Sequence, residues 1–156
     1  MDVTIVIADS VMASGGKLYV HGGGWHVLQT PYLPFVLPNL GIAVILAGTD
    51  EMFSDEHTFD LQLVDADGNP VGHGLTEVDA SEDANHIHVT GELPAVNGSG
   101  PEGMPSTILL AFNVPYVRFE QEAVHQVQVS IDGHLHQSVP LGVAVVSRDE
   151  RVTTAP

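Results

Sequence analysis

Apolar and polar residues alternate from His125 to Ile131, Asp132-Gly133 interrupts them, and the alternation resumes at His134. Period-two alternation on both sides of an Asp-Gly pair predicts a β-hairpin. Two registers are open to it. A two-residue type I′ loop pairs Ile131 with His134 and sets both His134 and His136 on the face of Val127, Val129 and Ile131. A three-residue loop with Gly133 in a G1 bulge pairs Val129 with Leu135 and leaves Gln128, Ser130, His134 and His136 outside. A one-residue slip exchanges the two faces, so polarity decides. It favours the bulge, with Val129 and Leu135 as buried neighbours.

The same period, bounded by turn residues, predicts strands at about Val3–Ala8, Lys17–His21, Trp25–Gln29, Leu40–Leu46 and His57–Val64. Further strands are expected at Val71–Val78, His86–Glu92, Thr107–Val114, Ala123–Ile131 and His134–Val146. In the fourth, Leu40, Ile42, Val44 and Leu46 alternate with Gly41, Ala43 and Ile45. In Thr107–Val114, Ile108, Leu110, Phe112 and Val114 form the bulky face. Both read as strands near the middle of a sandwich. Phe59, Leu61 and Leu63 should point inward from the His57 strand. Only Thr49–Ser54 looks helical, with Thr49 as its N-cap. Pro31 to Pro38 carries three prolines and is expected to cross the fold as an extended segment that cannot pair as a central strand. Pro94 to Ser106 is the long loop.

With no strand-helix-strand rhythm, the fold class is all-β: an antiparallel β-sandwich, immunoglobulin-like or jelly-roll-like, of roughly eight to ten strands. The 156 residues suffice for one core, so residues 1–147 read as a single domain and 148–156 as a flexible tail. A 44% hydrophobic share argues against disorder.

Charge changes the picture by exclusion. Twenty carboxylates face only Lys17, Arg118, Arg148 and Arg151, for a net charge of −16. Such a surface repels phosphate backbones and anionic lipid, so no nucleic-acid or membrane partner is expected. There is no cysteine, hence no disulfide framework. The start lacks a basic leader, and the apolar run Leu40 to Gly48 is too short for a spanning helix, so a cytoplasmic location is expected.

The run HTFDLQLVDADGNPV, the segments GMPSTILLAFNVPYVRF and HQVQVSIDG, and the early VIADS and GKLYVHGGGW can be taken together. In this order they resemble a family of small bacterial proteins known only as a domain of unknown function. The likeness runs from about Val3 to Val146. It implies a compact sandwich and supplies no activity or catalytic residue. Ala123-Val124-His125 stands where members often have glycine and tyrosine.

Candidate chemistry is sparse. His86, His88 and Glu92 follow an HxHxxxE spacing similar to the first cupin motif, and imidazoles with a carboxylate suit a first-row transition metal. The flanking glycines are missing (Ala80 stands at the leading one), and so is a second histidine motif. Short motifs match by chance, so no metal and no cofactor are expected. Asp65, Asp67 and Asn69 resemble the start of a calcium loop, but Pro70 and Thr76 occupy the places of its glycine and bidentate glutamate. The Gly22-Gly23-Gly24 and Gly15-Gly16-Lys17 stretches fit turns, not phosphate loops. No serine or histidine has a triad setting.

Three functions remain: a non-enzymatic structural or protein-interaction module, a cupin-like metal-dependent enzyme, and a small-ligand or carbohydrate-binding sandwich with Trp25, Tyr32 and Phe35 at one rim. The first fits best. Tyr32, Leu33, Phe35, Val36 and Leu37 form an apolar strip on an acidic protein and are the expected interface of a homo-oligomer or a protein partner.

Overall fold

The computed structural model describes residues 1–71, 87–95 and 104–146. They form β1 (Asp2–Ala8), β2 (Ser10–Ser14), β3 (Lys17–His21), β4 (Val27–Thr30), β5 (Phe35–Gly48), β6 (His57–Val64), β7 (His88–Leu93), β8 (Ser106–Phe119), β9 (Ala123–Ile131) and β10 (His134–Val145). Residues 50–53 make a single 3₁₀ turn where the helical look was noted, and Thr49 caps it without a side-chain bond. The expected strand at Val71–Val78 lies, after Val71, outside the described residues, as do most of the long loop and the tail.

Two sheets face each other. The smaller has the order β1-β5-β8 and is antiparallel throughout; the larger has the order β4-β10-β9-β6-β7. β4 runs parallel to β10, a departure from the all-antiparallel expectation. One apolar cluster fills the space between the sheets. Ile7, Leu40, Ile42, Val44, Leu46, Val117 and Phe119 come from one sheet, and Leu61, Leu63, Val127, Val129 and Leu141 from the other. Phe59 and Phe112 stack across the gap at 5.5 Å.

The hairpin β2-β3 was only half expected, because β2 went unread. It lies over the outer face of the smaller sheet, where Val11 and Leu18 meet Ala8, Ala43 and Ala111. Two facing residues dock it. A Cβ on Gly41 would sit 2.9 Å from the Ser10 backbone, so only glycine admits that approach. Opposite it, Asn113 accepts from Val11 N (3.0 Å) and donates to Val11 O (2.8 Å). This one side chain imitates a strand neighbour.

The Asp-Gly hairpin differs from the expected register. Ile131 pairs with His134, and Asp132 (φ 51°) and Gly133 (φ 75°) are both left-handed, as in a two-residue type I′ turn. Asp132 is held there by its contacts: Oδ1 accepts from Thr58 N at 2.8 Å, and Oδ2 meets His57 Nδ1 at 2.7 Å. The bulge falls one step later, between Leu135 and Gln137. It restores the phase, so Val127 faces Val139 and His125 faces Leu141. Leu135 is therefore 58% exposed instead of buried, while His134 and His136 are exposed as expected.

β5 and β8 also run further than their alternation suggested. They pair from Phe35↔Phe119 to Gly48↔Ser106. Leu40, Ile42, Val44 and Leu46 face the core, and so do Leu37 and Leu33, although the intervening spacing is odd. The shift falls at Pro38, opposite Tyr116, which is left-handed (φ 56°). Both strands change phase together, which keeps Leu37 and Val117 inside. Pro38 is tolerated because β1 pairs only with Gly41–Ala47, so that part of β5 has one strand neighbour among the described residues.

Candidate functional site

The feature that sets the surface apart is β8. Its core-facing Ile108, Leu110 and Phe112 are only half-buried, while their register partners Leu46, Val44 and Ile42 on β5 are completely buried. Among the described residues no strand pairs with the far side of β8. An unpaired edge presents a row of free N–H and C=O groups. From Met104 to Val117 there is no charged residue, in a chain whose net charge is −16. A long, uncharged, half-exposed edge is a template for another strand.

The proline strip flanks one end of that edge. Tyr32 is 62% and Val36 42% exposed; Leu33, Phe35 and Leu37 are half-buried. Leu33 and Leu37 rest on the core, and Phe35 meets Tyr32 edge-on at 6.1 Å. Val36 stands opposite Arg118, and Tyr116, 55% exposed, lies two residues from it. Of the five strip residues, Tyr32 and Val36 are the two exposed ones.

At the opposite end of β8 a cavity of about 720 Å³ is lined by Met1, Met52 and Met104, with Asp2, Asp50 and Glu51 at its rim. Three separate segments deliver these three thioethers. Met52 and Met104 are 44% and 64% exposed. The Ser106 hydroxyl, at the first residue of β8, donates to Asp50.

The metal candidates are arranged less favourably. His88 and Glu92 share the continuous strand β7, and His86 lies outside the described residues. Four residues of strand separate positions by about 13 Å, too far for one ion to bridge. His88 instead pairs with Asp60 on β6. Among the described residues no three histidine or acidic side chains gather into a metal-holding group. Asp65 spends its oxygens on its own turn, accepting from Asp67 N and Asn69 N, and these bonds hold its carboxyl below the usual range.

Two other histidines are structural. His57 bridges Asp132 and the Met52 carbonyl (2.7 Å each), and the Asp132 bond raises its pKa. The reciprocal bond lowers that of Asp132. His125 is buried against Phe119 at 5.3 Å, with neither ring nitrogen hydrogen-bonded among the described residues. Burial pushes its pKa down. Trp25 is half-buried and packs against the core, with its Nε1 buried.

A model of a family of unknown function, DUF6941, matches residues 3–144. The chain belongs to this family. No curated protein and no solved structure matches the chain. Membership in DUF6941 assigns no reaction, so the role of the β8 edge rests on geometry. Among the described residues no helix of this DUF6941 chain is long and apolar enough to cross a membrane.

The edge itself went unnoticed in the sequence. Thr107–Val114 reads as a buried strand because its pattern matches that of β5. The available signal was the stretch without charge, which a buried central strand and a strand kept for a partner share.

Proposed function

We propose that this protein is a non-enzymatic interaction module that assembles with a second copy of itself along β8. The single observation that carries the reading is the half-exposure of Ile108, Leu110 and Phe112 on the core side of a strand that is without charge from Ser106 to Val117 and, among the described residues, unpaired on one side. Antiparallel pairing of β8 with its own copy is isologous and satisfies both edges at once. Like charges directly opposite each other on the two strands would repel, and between Met104 and Val117 there are none; Lys17, on the turn beside Thr107–Leu109, lies on a different hairpin. Tyr32 and Val36 would widen the contact at each end. The absence of cysteine suits a cytoplasmic setting, and the likeness noted in the sequence suits a bacterial one.

Light scattering across salt concentrations tests the reading. The protein should be a dimer, tighter as salt screens the net charge, with a Debye length of about 8 Å at physiological ionic strength. Leu109→Asp, on the outer face near the axis, should give folded monomers; Val36→Asp should weaken the dimer less. A wild-type monomer at every salt concentration would sink the proposal, as would an unchanged Leu109→Asp dimer.

A further inference from the structure

The ends of β8 carry opposite chemistry, and this fixes which way two copies meet. Arg118, near the C-terminal end, is the only lysine or arginine between Lys17 and Arg148. It lies on the outer face, half exposed, and among the described residues its one ion pair is with the nearby, well-exposed Glu120. At the N-terminal end, Asp50 and Glu51 edge the methionine-lined cavity, and Ser106 ties Asp50 to the strand. We infer that the partner is a second copy docked antiparallel along β8, so that Arg118 of each chain reaches Asp50 and Glu51 of the other at the mouth of that cavity. This rests on the self-association reading above and adds its register and polarity.

The strand's length supports this arrangement. Ser106 to Phe119 is fourteen residues, so its two ends stand about 40 Å apart within one chain. Arg118 cannot serve its own Asp50 through β8. An antiparallel copy centred near Leu110–Phe112 brings residue 118 of one chain across from about residues 104–106 of the other. The kink at Pro115-Tyr116 need not break this match. Pairing on either side of the axis uses Ile108–Val114, and the arginine has a long, flexible stem to cross the remaining gap. Its methylenes can lie on the exposed Met52 and Met104 while the guanidinium meets the carboxylates. A guanidinium offers two parallel N–H donors to a carboxylate, which gives the contact direction as well as attraction. A parallel or shifted pairing would place Arg118 against Arg118, or against uncharged strand.

Charge reversal separates these arrangements. Arg118→Glu alone, and Asp50→Lys with Glu51→Lys, should each weaken the dimer about tenfold or more, because every dimer holds the contact twice. Mixed together, the two variants should form a heterodimer of near wild-type strength, seen as the mixed mass in native mass spectrometry. Circular dichroism confirms that each variant is folded. Because the chain lacks cysteine, cross-linking gives a second, independent measurement. Met104→Cys with Arg118→Cys should oxidise to a covalent dimer, whereas Arg118→Cys alone should not. A heterodimer no stronger than its parents, or cross-linking by Arg118→Cys alone, overturns the register while leaving self-association standing. A monomeric wild type would instead sink the self-association reading itself.

Discussion

β5 and β8 are neighbours in one sheet, equal in length, paired residue for residue, and bent at the same place. Yet Ile42, Val44 and Leu46 on β5 are fully buried, while Phe112, Leu110 and Ile108 opposite them are not. The side chains are alike in size and polarity. What differs is position: β5 lies between β1 and β8, and among the described residues β8 has no strand on its other side. Burial in a sheet is a property of neighbours, and an apolar pattern records only that a neighbour is wanted. β8 carries the pattern of an inner strand at an outer place, which is the physical reason to look for its missing partner in a second copy.

The largest effect should come from testing that difference directly. Leu46→Ala opens a cavity in a fully buried site and should cost about 2–5 kcal/mol by urea unfolding. Its partner Ile108→Ala should cost the isolated chain about half as much, because part of that side chain already meets solvent. Unfolding at several protein concentrations should then expose the rest as a weakened dimer. Equal costs at all concentrations would erase the distinction between the two strands.

A smaller effect should come from the one place where the strands share a task. Gly41 and Asn113 face each other and both dock β2, one by yielding space and one by hydrogen bonding. Gly41→Ala forces the Ser10 backbone away and should cost about 1–3 kcal/mol, as overpacking does. Asn113→Ala strands the Val11 amide and carbonyl and should cost about 1–3 kcal/mol. Because both release the same hairpin, the double variant should cost less than the sum. Strict additivity would mean that the two residues act on different parts of the fold.

Much of this architecture was legible beforehand. Lys17–His21, His57–Val64 and Ala123–Ile131 fall where alternation placed them, and the last two meet one core face with a period of two. What failed has a common cause. Asp132 is left-handed because His57 and Thr58, about 75 positions away, hold its carboxylate. The Pro38 and Tyr116 shifts are intelligible only as a pair, because each keeps its strand in phase with the other. β2, which buries only Val11, has its outer side held by Asn113, a side chain on a distant strand that its own residues do not announce. In each case a local pattern was overruled by a contact far along the chain. The candidate site was less legible still. The strip at Tyr32–Leu37 was found from its prolines and bulk, whereas the neighbouring edge was hidden by resembling a core strand.

The smallest expected effect concerns the closed end of β8, where Val117 and Phe119 are buried as deeply as anything in β5. His125 lies against Phe119 with both nitrogens buried, and that burial lowers its pKa, opposed only by the Asp65 carboxylate. The folded state therefore binds this proton less readily than the unfolded chain. Its stability is intact above the ordinary histidine value of about 6.5 and declines as pH falls from there toward the lowered one. His57 has the opposite sign. Its pKa is raised by Asp132, so its contribution is complete below about 6.5 and fades as pH rises through the raised value. Most carboxylates titrate below this window, so the two histidines can be read against each other there. Melting temperatures between pH 7.5 and 5.5, taken in parallel, separate them. His125→Leu should flatten the loss on the acid side, and His57→Gln should flatten the loss on the alkaline side. If His125→Leu melted with the same acid slope as wild type, the imidazole would be reaching solvent or an acceptor in solution, and the end of β8 around Phe119 would be no more closed than the edge at Leu110.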